Sequence, residues 1–228
     1  MRLLLSLIFI LSSLFPSFGQ DAEKIMRSLQ QKWSQVKDYS VDLNIKSNIP
    51  LIKILPVNAT LYFKQKDQFH LKSKGIAILP KKGFGDLAQL LAHSDQFNPI
   101  STGKEMLKNK ETEVINLLPN GESEDVILAK LWVDKSNNLI LKSQITSRSN
   151  GTVSTEYQYS DEAKWGLPEQ LIFTVDVKKF KVPKGVVVDI NKTQTVDSQK
   201  PVAKTGTIMV KFSHYKINQG IDPSIFKN

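Results

Sequence analysis

VILAKLWVDKSNNLILKSQITSRSNGTVSTEYQYSDEAKWGLP, residues Val126 to Pro168, contains three strand-length runs joined by turn signals only a few residues long. Ile127, Ala129, Leu131 and Val133 alternate with Leu128, Lys130 and Trp132. After Lys135-Ser136-Asn137-Asn138, the residues Leu139, Leu141 and Ile145 resume an apolar period of two. Ser149-Asn150-Gly151 turns the chain again, because Asn and Gly tolerate the positive φ of a tight hairpin. Val153, Thr155, Tyr157 and Tyr159 form the third strand. The stretch therefore reads as an antiparallel meander with one apolar and one wet face. The apolar face needs a cover, which must be a sheet, a helix or a ligand.

Outward from this meander the same alternation recurs. On the N-terminal side it runs through Tyr39, Val41, Leu43 and Ile45, then Ala59, Leu61 and Phe63, then Phe69 and Leu71, with a short apolar segment at Gly75 to Leu79. Glu113 to Leu118 leads into the meander, and Leu171, Phe173, Val175 and Val177 follow it. Ile208, Val210 and Phe212 form the last strand, and a phase slip at Ser213-His214 predicts a bulge. Ser94 to Lys110 reads as a loop broken by Asn98-Pro99 and Thr102-Gly103, with a helical turn near Met106-Leu107. Lys178 to Thr205 reads as a long polar excursion, and Ile225-Phe226 as a tail that docks back on the body.

Two stretches have a helical period instead. Asp21 to Val36 places Ile25, Leu29, Trp33 and Val36 on one stripe, with Asp21 as the N-cap, and this helix is expected to plug the open face of the sheet. Gly85 to His93 has leucines at spacings of three and four, as a short lid helix inserted between strands would. About ten strands and two helices make a mainly antiparallel α+β fold, a strongly curved sheet wrapped round helices in one domain from residue 20 to residue 228.

Met1-Arg2, the apolar run Leu3 to Phe15 and the small residues of Ser17-Phe18-Gly19 have the order of a secretory signal, with cleavage expected after Gly19. Losing Arg2 takes the formal charge of the 228-residue chain from +9 to +8. The 31 Lys and Arg residues are scattered over polar strand faces and loops, which argues against nucleic acid and suits solvation or an anionic lipid surface. The chain has no cysteine, so disulfides, thiolate metal sites and a lipidated N-terminal Cys are excluded. His70, His93 and His214 lie far apart, and no phosphate loop, nucleophile elbow or close Ser/His/Asp set is visible. The reading therefore includes no catalytic residue, metal or cofactor.

One stretch is apolar where a polar turn would be expected. Leu51, Ile52, Ile54 and Leu55, bracketed by Pro50 and Pro56, are surplus to the alternating core set, and with Lys53 they form a candidate membrane-contact loop. The other reading is that this stretch prolongs the flanking strands into the core.

Taken in order, the leader, the amphipathic helix, Tyr39-Ser-Val-Asp-Leu-Asn-Ile45, the hairpin Leu61 to Lys72, Leu131-Trp-Val-Asp134 with Leu139-Ile-Leu-Lys142, Gly166-Leu-Pro168 and Phe212-Ser-His-Tyr-Lys-Ile-Asn218 resemble the LolA/LolB-like superfamily of periplasmic lipoprotein localisation over nearly the whole chain. The resemblance implies an incompletely closed antiparallel barrel whose helices cover an apolar cavity for acyl chains. Its cavity and lid would then comprise Trp33, Leu43, Ile45, Leu61, Phe63, Phe69, Leu71, Leu87, Leu90, Leu91, Leu131 and Phe173. It implies a monomeric periplasmic carrier of acylated lipoprotein or lipid, in transient contact with an inner-membrane donor or an outer-membrane receptor. The alternative is a sensor or interaction module of the same fold that binds a membrane-protein partner. Carriers of the family have Arg-Pro at the hairpin where this chain has Lys66-Asp67, so the family's lid latch is missing or replaced by lysine.

Overall fold

Alternating apolar residues bury one face of most strands, the edge strands being the exceptions, and the strands pair in one continuous antiparallel sheet. The computed structural model describes residues 18–50, 55–65, 68–73, 75, 86–121, 125–149, 151–176 and 205–227. Among these, β1 is Asp38–Asn48, β2 Val57–Lys64, β3 Gln68–Ser73, β4 Phe97–Leu107, β5 Lys110–Pro119, β6 Val126–Asp134, β7 Leu139–Ser147, β8 Gly151–Gln158, β9 Gln170–Asp176 and β10 Thr205–Ile217. Helix α1 is Phe18–Ser34 and α2 is Asp86–Ala92.

The sheet order is β3-β2-β1-β10-β9-β8-β7-β6-β5-β4. It is the chain order made cyclic, because β1 pairs with β10 as well as with β2. Among the described strands only β3 and β4 fail to meet, which makes the curved sheet an open barrel. The chain between these two edges includes α2, which packs on α1, and α1 packs on β4. The two helices thus lie beside the seam where the barrel would otherwise close.

Of the stripe expected on α1, Ile25 and Leu29 are buried in the main core with Ala22 and Met26 and Trp33 packs partly buried against it, but the helix ends at Ser34, so the buried Val36 lies beyond it. Its start differs. The helix begins at Phe18, so Asp21 lies in the first turn and is not the N-cap, although a carboxylate there still faces the positive end of the helix dipole. Asn218, at φ +56°, ties the far end of α1 to the end of β10. Its Oδ1 accepts from the Lys37 amide at 2.7 Å, and its Nδ2 donates to Gln35 O at 2.9 Å.

Three expectations need correction. The segment from Ser94 is not a loop with a helical turn at Met106-Leu107 but a short 3-10 turn followed by β4. This strand is the sheet edge, where Pro99 removes no essential ladder bond, and the breaker Gly103 (φ +105°) falls at a bulge between Ser101 and Lys104. In the meander, Ile127 and Leu141 do not point inward. Each is the extra residue of a bulge in the β6–β7 ladder, so Ile127 is exposed and Ile140, not Leu141, joins the core.

The bulge read from the phase slip in the last strand is present. The register jumps between Ser40 and Asp42 opposite Lys216 and Ser213, and His214 has φ +56°. The tail docks as expected, with its 3-10 turn Pro223–Phe226 against β3. The leader residues 1–17, Leu51, Ile52 and Ile54, Lys66-Asp67, most of the Gly75 to Leu79 segment, and 177–204 of the polar excursion lie outside the described residues.

Candidate functional site

Ring contacts line one end of the core. Phe63 of β2 touches Trp33 of α1 (centroids 5.3 Å apart), Phe69 of β3 (5.0 Å) and Tyr39 of β1 (5.1 Å). The series continues from Tyr39 to Tyr215 at 5.7 Å and from Tyr215 to Phe212 at 6.0 Å. Such offset and tilted pairs are worth about 0.5–1.5 kcal/mol each beyond the area they bury.

Beside these rings lies a cavity of about 80 Å³. Leu29 and Trp33 of α1 and Leu87, Ala88 and Leu91 of α2 border it on the helix side. Tyr39, Phe69, Ile140, Tyr157, Leu171, Phe212 and Tyr215 border it on the sheet side, and Trp165, Gly166, Leu167 and Pro168 border it from the loop after β8. Trp33 also borders a wider groove of about 530 Å³ with Phe63, Gln65, Ala92 and His93.

The polar tips of the cavity's tyrosines are fastened at its walls. Tyr157 Oη and Ser143 Oγ are 2.9 Å apart, Tyr159 Oη donates to Ile140 O at 2.8 Å, and Tyr215 Oη donates to Pro168 O at 2.8 Å. Burial pushes the phenols of Tyr39, Tyr159 and Tyr215 well above their ordinary range, so they stay neutral. The wall is thus aromatic and uncharged, with one exception. Lys32 of α1 borders the cavity, and its Nζ donates to Asn137 O at 2.6 Å and Ala163 O at 3.2 Å. Desolvation lowers its pKa, partly offset by the negative charge of Asp134.

Of the twelve residues expected at the cavity, Trp33, Phe69, Leu87 and Leu91 border it and Phe63 borders the adjoining groove. The others do not line it. Leu43, Ile45, Leu61, Leu90, Leu131 and Phe173 are buried in the continuous core, and Leu71 is partly buried against that core. The reason is geometric: the strand residues that border the cavity, such as Tyr39, Phe69, Ile140, Tyr157, Leu171 and Tyr215, stand at or near strand ends, whereas Leu43, Leu61, Leu131 and Phe173 stand mid-strand in the core. Sequence reading missed Tyr39, Tyr157, Tyr215 and the Trp165 to Pro168 loop as lining residues. Their available signal was the clustering of aromatic residues at strand ends.

Of the proposed contact loop, Leu55 is described and is 73% exposed, whereas Ile49 at its start is buried in the core. Among the described residues, no group of three or more His, Asp or Glu side chains could hold a metal ion.

No family model and no curated protein sequence matches the chain. Solved structures do match. A LolA superfamily protein from Nitrosomonas europaea superimposes with a TM-score of 0.58 at 13% identity, over 91% of this chain and 97% of that one. A DUF1329 family protein from Desulfovibrio piger gives 0.59 at 11% identity, over 93% and 98%. A domain from Vibrio parahaemolyticus named for outer membrane lipoprotein sorting gives 0.58 at 11%, over 92% and 97%. At such identities the likeness is one of fold, and the fold is LolA-like.

Proposed function

We propose that this chain, with its LolA-like fold, is an exported monomeric carrier in the periplasm. It takes the acyl chains of lipoproteins or lipids beneath α1 and α2 and moves them towards the outer membrane. In this reading residues 1–19 are a leader and 20–228 the functional domain. The observation that carries the proposal is a largely apolar, aromatic-walled cavity at one end of the strands, bordered by α1 and by leucines of the seven-residue helix α2.

The cavity's size fits a closed, empty carrier. Ligand pockets usually measure roughly 300–1,000 Å³, and about 80 Å³ holds little more than two or three waters' share of liquid volume. Uptake therefore requires Leu87, Leu91 and Trp33 to move, which would join the cavity to the neighbouring groove. The energetics allow this. Burying an acyl chain of ~16 carbons at about 0.8 kcal/mol per CH₂ yields on the order of 10 kcal/mol. Displacing the leucines that fill the empty site offsets part of that gain and keeps the cargo releasable.

The test is displacement of a fluorescent fatty acid by unlabelled palmitate. The wild-type protein should bind, and Leu91→Glu should lose binding while keeping its far-UV circular dichroism. A folded wild-type protein that binds no fatty acid would sink the proposal.

A further inference from the structure

Lys32 is the only charged residue among the described residues that border the cavity. Among the described residues no carboxylate forms an ion pair with it, although the charge of Asp134 reaches it. An ammonium has three protons to donate, and here two go to backbone carbonyls, Asn137 O in the turn after β6 and Ala163 O in the 3-10 turn Asp161–Trp165. Carbonyls satisfy hydrogen bonds but do not neutralise charge. Asp134, whose field reaches Lys32, is engaged elsewhere: its Oδ1 accepts from the Ser136 amide at 3.0 Å, its Oδ2 from Asn137 Nδ2 at 2.9 Å, and Lys110 lies 3.9 Å away.

The neighbouring backbone makes room for this side chain. Gly166 has φ +72°, a conformation that favours glycine, and a Cβ built there would stand 3.4 Å from Lys32 Cδ, so the lysine stem passes in ordinary contact distance of this turn. Lys32 borders the cavity together with Gly166 and Asn138, in a lining that is otherwise uncharged among the described residues.

We propose that Lys32 is the headgroup contact of this cavity, and that the preferred ligand is an acyl chain ending in an anion, a carboxylate or a phosphate. The inference rests on the carrier reading and sharpens it. An anionic oxygen beside Lys32 would accept the third ammonium proton and add a counter-charge in direct contact, a charge-assisted bond in a partly desolvated place. The apolar chamber would hold the tail.

The experiment displaces the neutral dye N-phenyl-1-naphthylamine with three ligands of one chain length: palmitate, 1-palmitoyl lysophosphatidylglycerol and neutral monopalmitoylglycerol. A charge-assisted contact predicts that at least one anionic ligand binds the wild-type protein about tenfold tighter than the neutral one. The anionic ligand that shows the preference identifies carboxylate or phosphate as the source. Lys32→Met should bring the ratio to within about twofold, and Lys32→Arg should restore it. Lys32→Gln, which retains donors to the two carbonyls, serves the same purpose if the Met variant does not fold. Equal affinities for neutral and anionic ligands, or a ratio unchanged in a folded Lys32→Met or Lys32→Gln protein, would overturn the headgroup contact and leave the carrier reading standing. No displacement by any of the three would remove both.

Discussion

Gly206 sits where β10 passes tightest against the end of β1. A Cβ there would lie 3.0 Å from Ile49 Cγ1 and 3.1 Å from Ile49 Cα, and the backbone atom cannot rotate aside. Gly206→Ala should therefore destabilise the protein by about 1–3 kcal/mol in urea unfolding, and an unchanged midpoint would contradict the close approach. On the outer face, Glu105 accepts from Trp132 Nε1 at 2.7 Å and from Lys130 Nζ at 3.0 Å, and these bonds hold its carboxyl below the usual range. A depressed folded pKa adds stability above the unfolded value of about 4.3 and loses it as pH falls through the lower folded value. The melting-temperature gap between wild type and Glu105→Gln should narrow between about pH 6 and pH 3. A gap independent of pH would contradict the pairing. Neither contact was legible in the sequence, because both depend on which residues of distant strands become neighbours.

At the scale of elements, strands were legible wherever one face meets the core. β1, β2, β8 and β9 show it as an unbroken period of two, and the α1 stripe shows it as a helical period. β4 was missed because an edge strand of polar residues with Pro99 and Gly103 has the composition of a loop. The inward phase of β6 and β7 was misread at Ile127 and Leu141, since one-residue bulges leave no compositional mark. The lid was legible as a change of period, and it carries a prediction. Leu91 borders the cavity and is buried, so Leu91→Ala should cost about 2–5 kcal/mol, lowering the melting temperature, and added palmitate should recover part of that loss by filling the void. A loss that palmitate leaves untouched would detach the lid from the site. The exposed Leu55 suits membrane contact, so Leu55→Ser should weaken liposome co-sedimentation with little change in melting temperature. Unaltered co-sedimentation would assign this exposed leucine no such role.

The architecture of the whole molecule follows from a cyclic meander that stops one pairing short of closure, with two helices beside the gap. Only part of the expected cavity set lines the cavity because the cavity lies at strand ends: there, inward residues face the helices and the loop after β8, and mid-strand they pack in the core. A sequence displays which residues point inward but not which strand ends come together beside the helices, so Tyr39, Tyr157 and Tyr215 were indistinguishable from ordinary core. The central claim is that the cavity beside the two helices holds an acyl chain, and native mass spectrometry of the protein purified from cell envelopes tests it most directly. The account predicts a population whose mass exceeds that of the apo chain by one lipid or acyl group, lost on Leu91→Glu. Only the apo mass, both as purified and after incubation with palmitate, would contradict it.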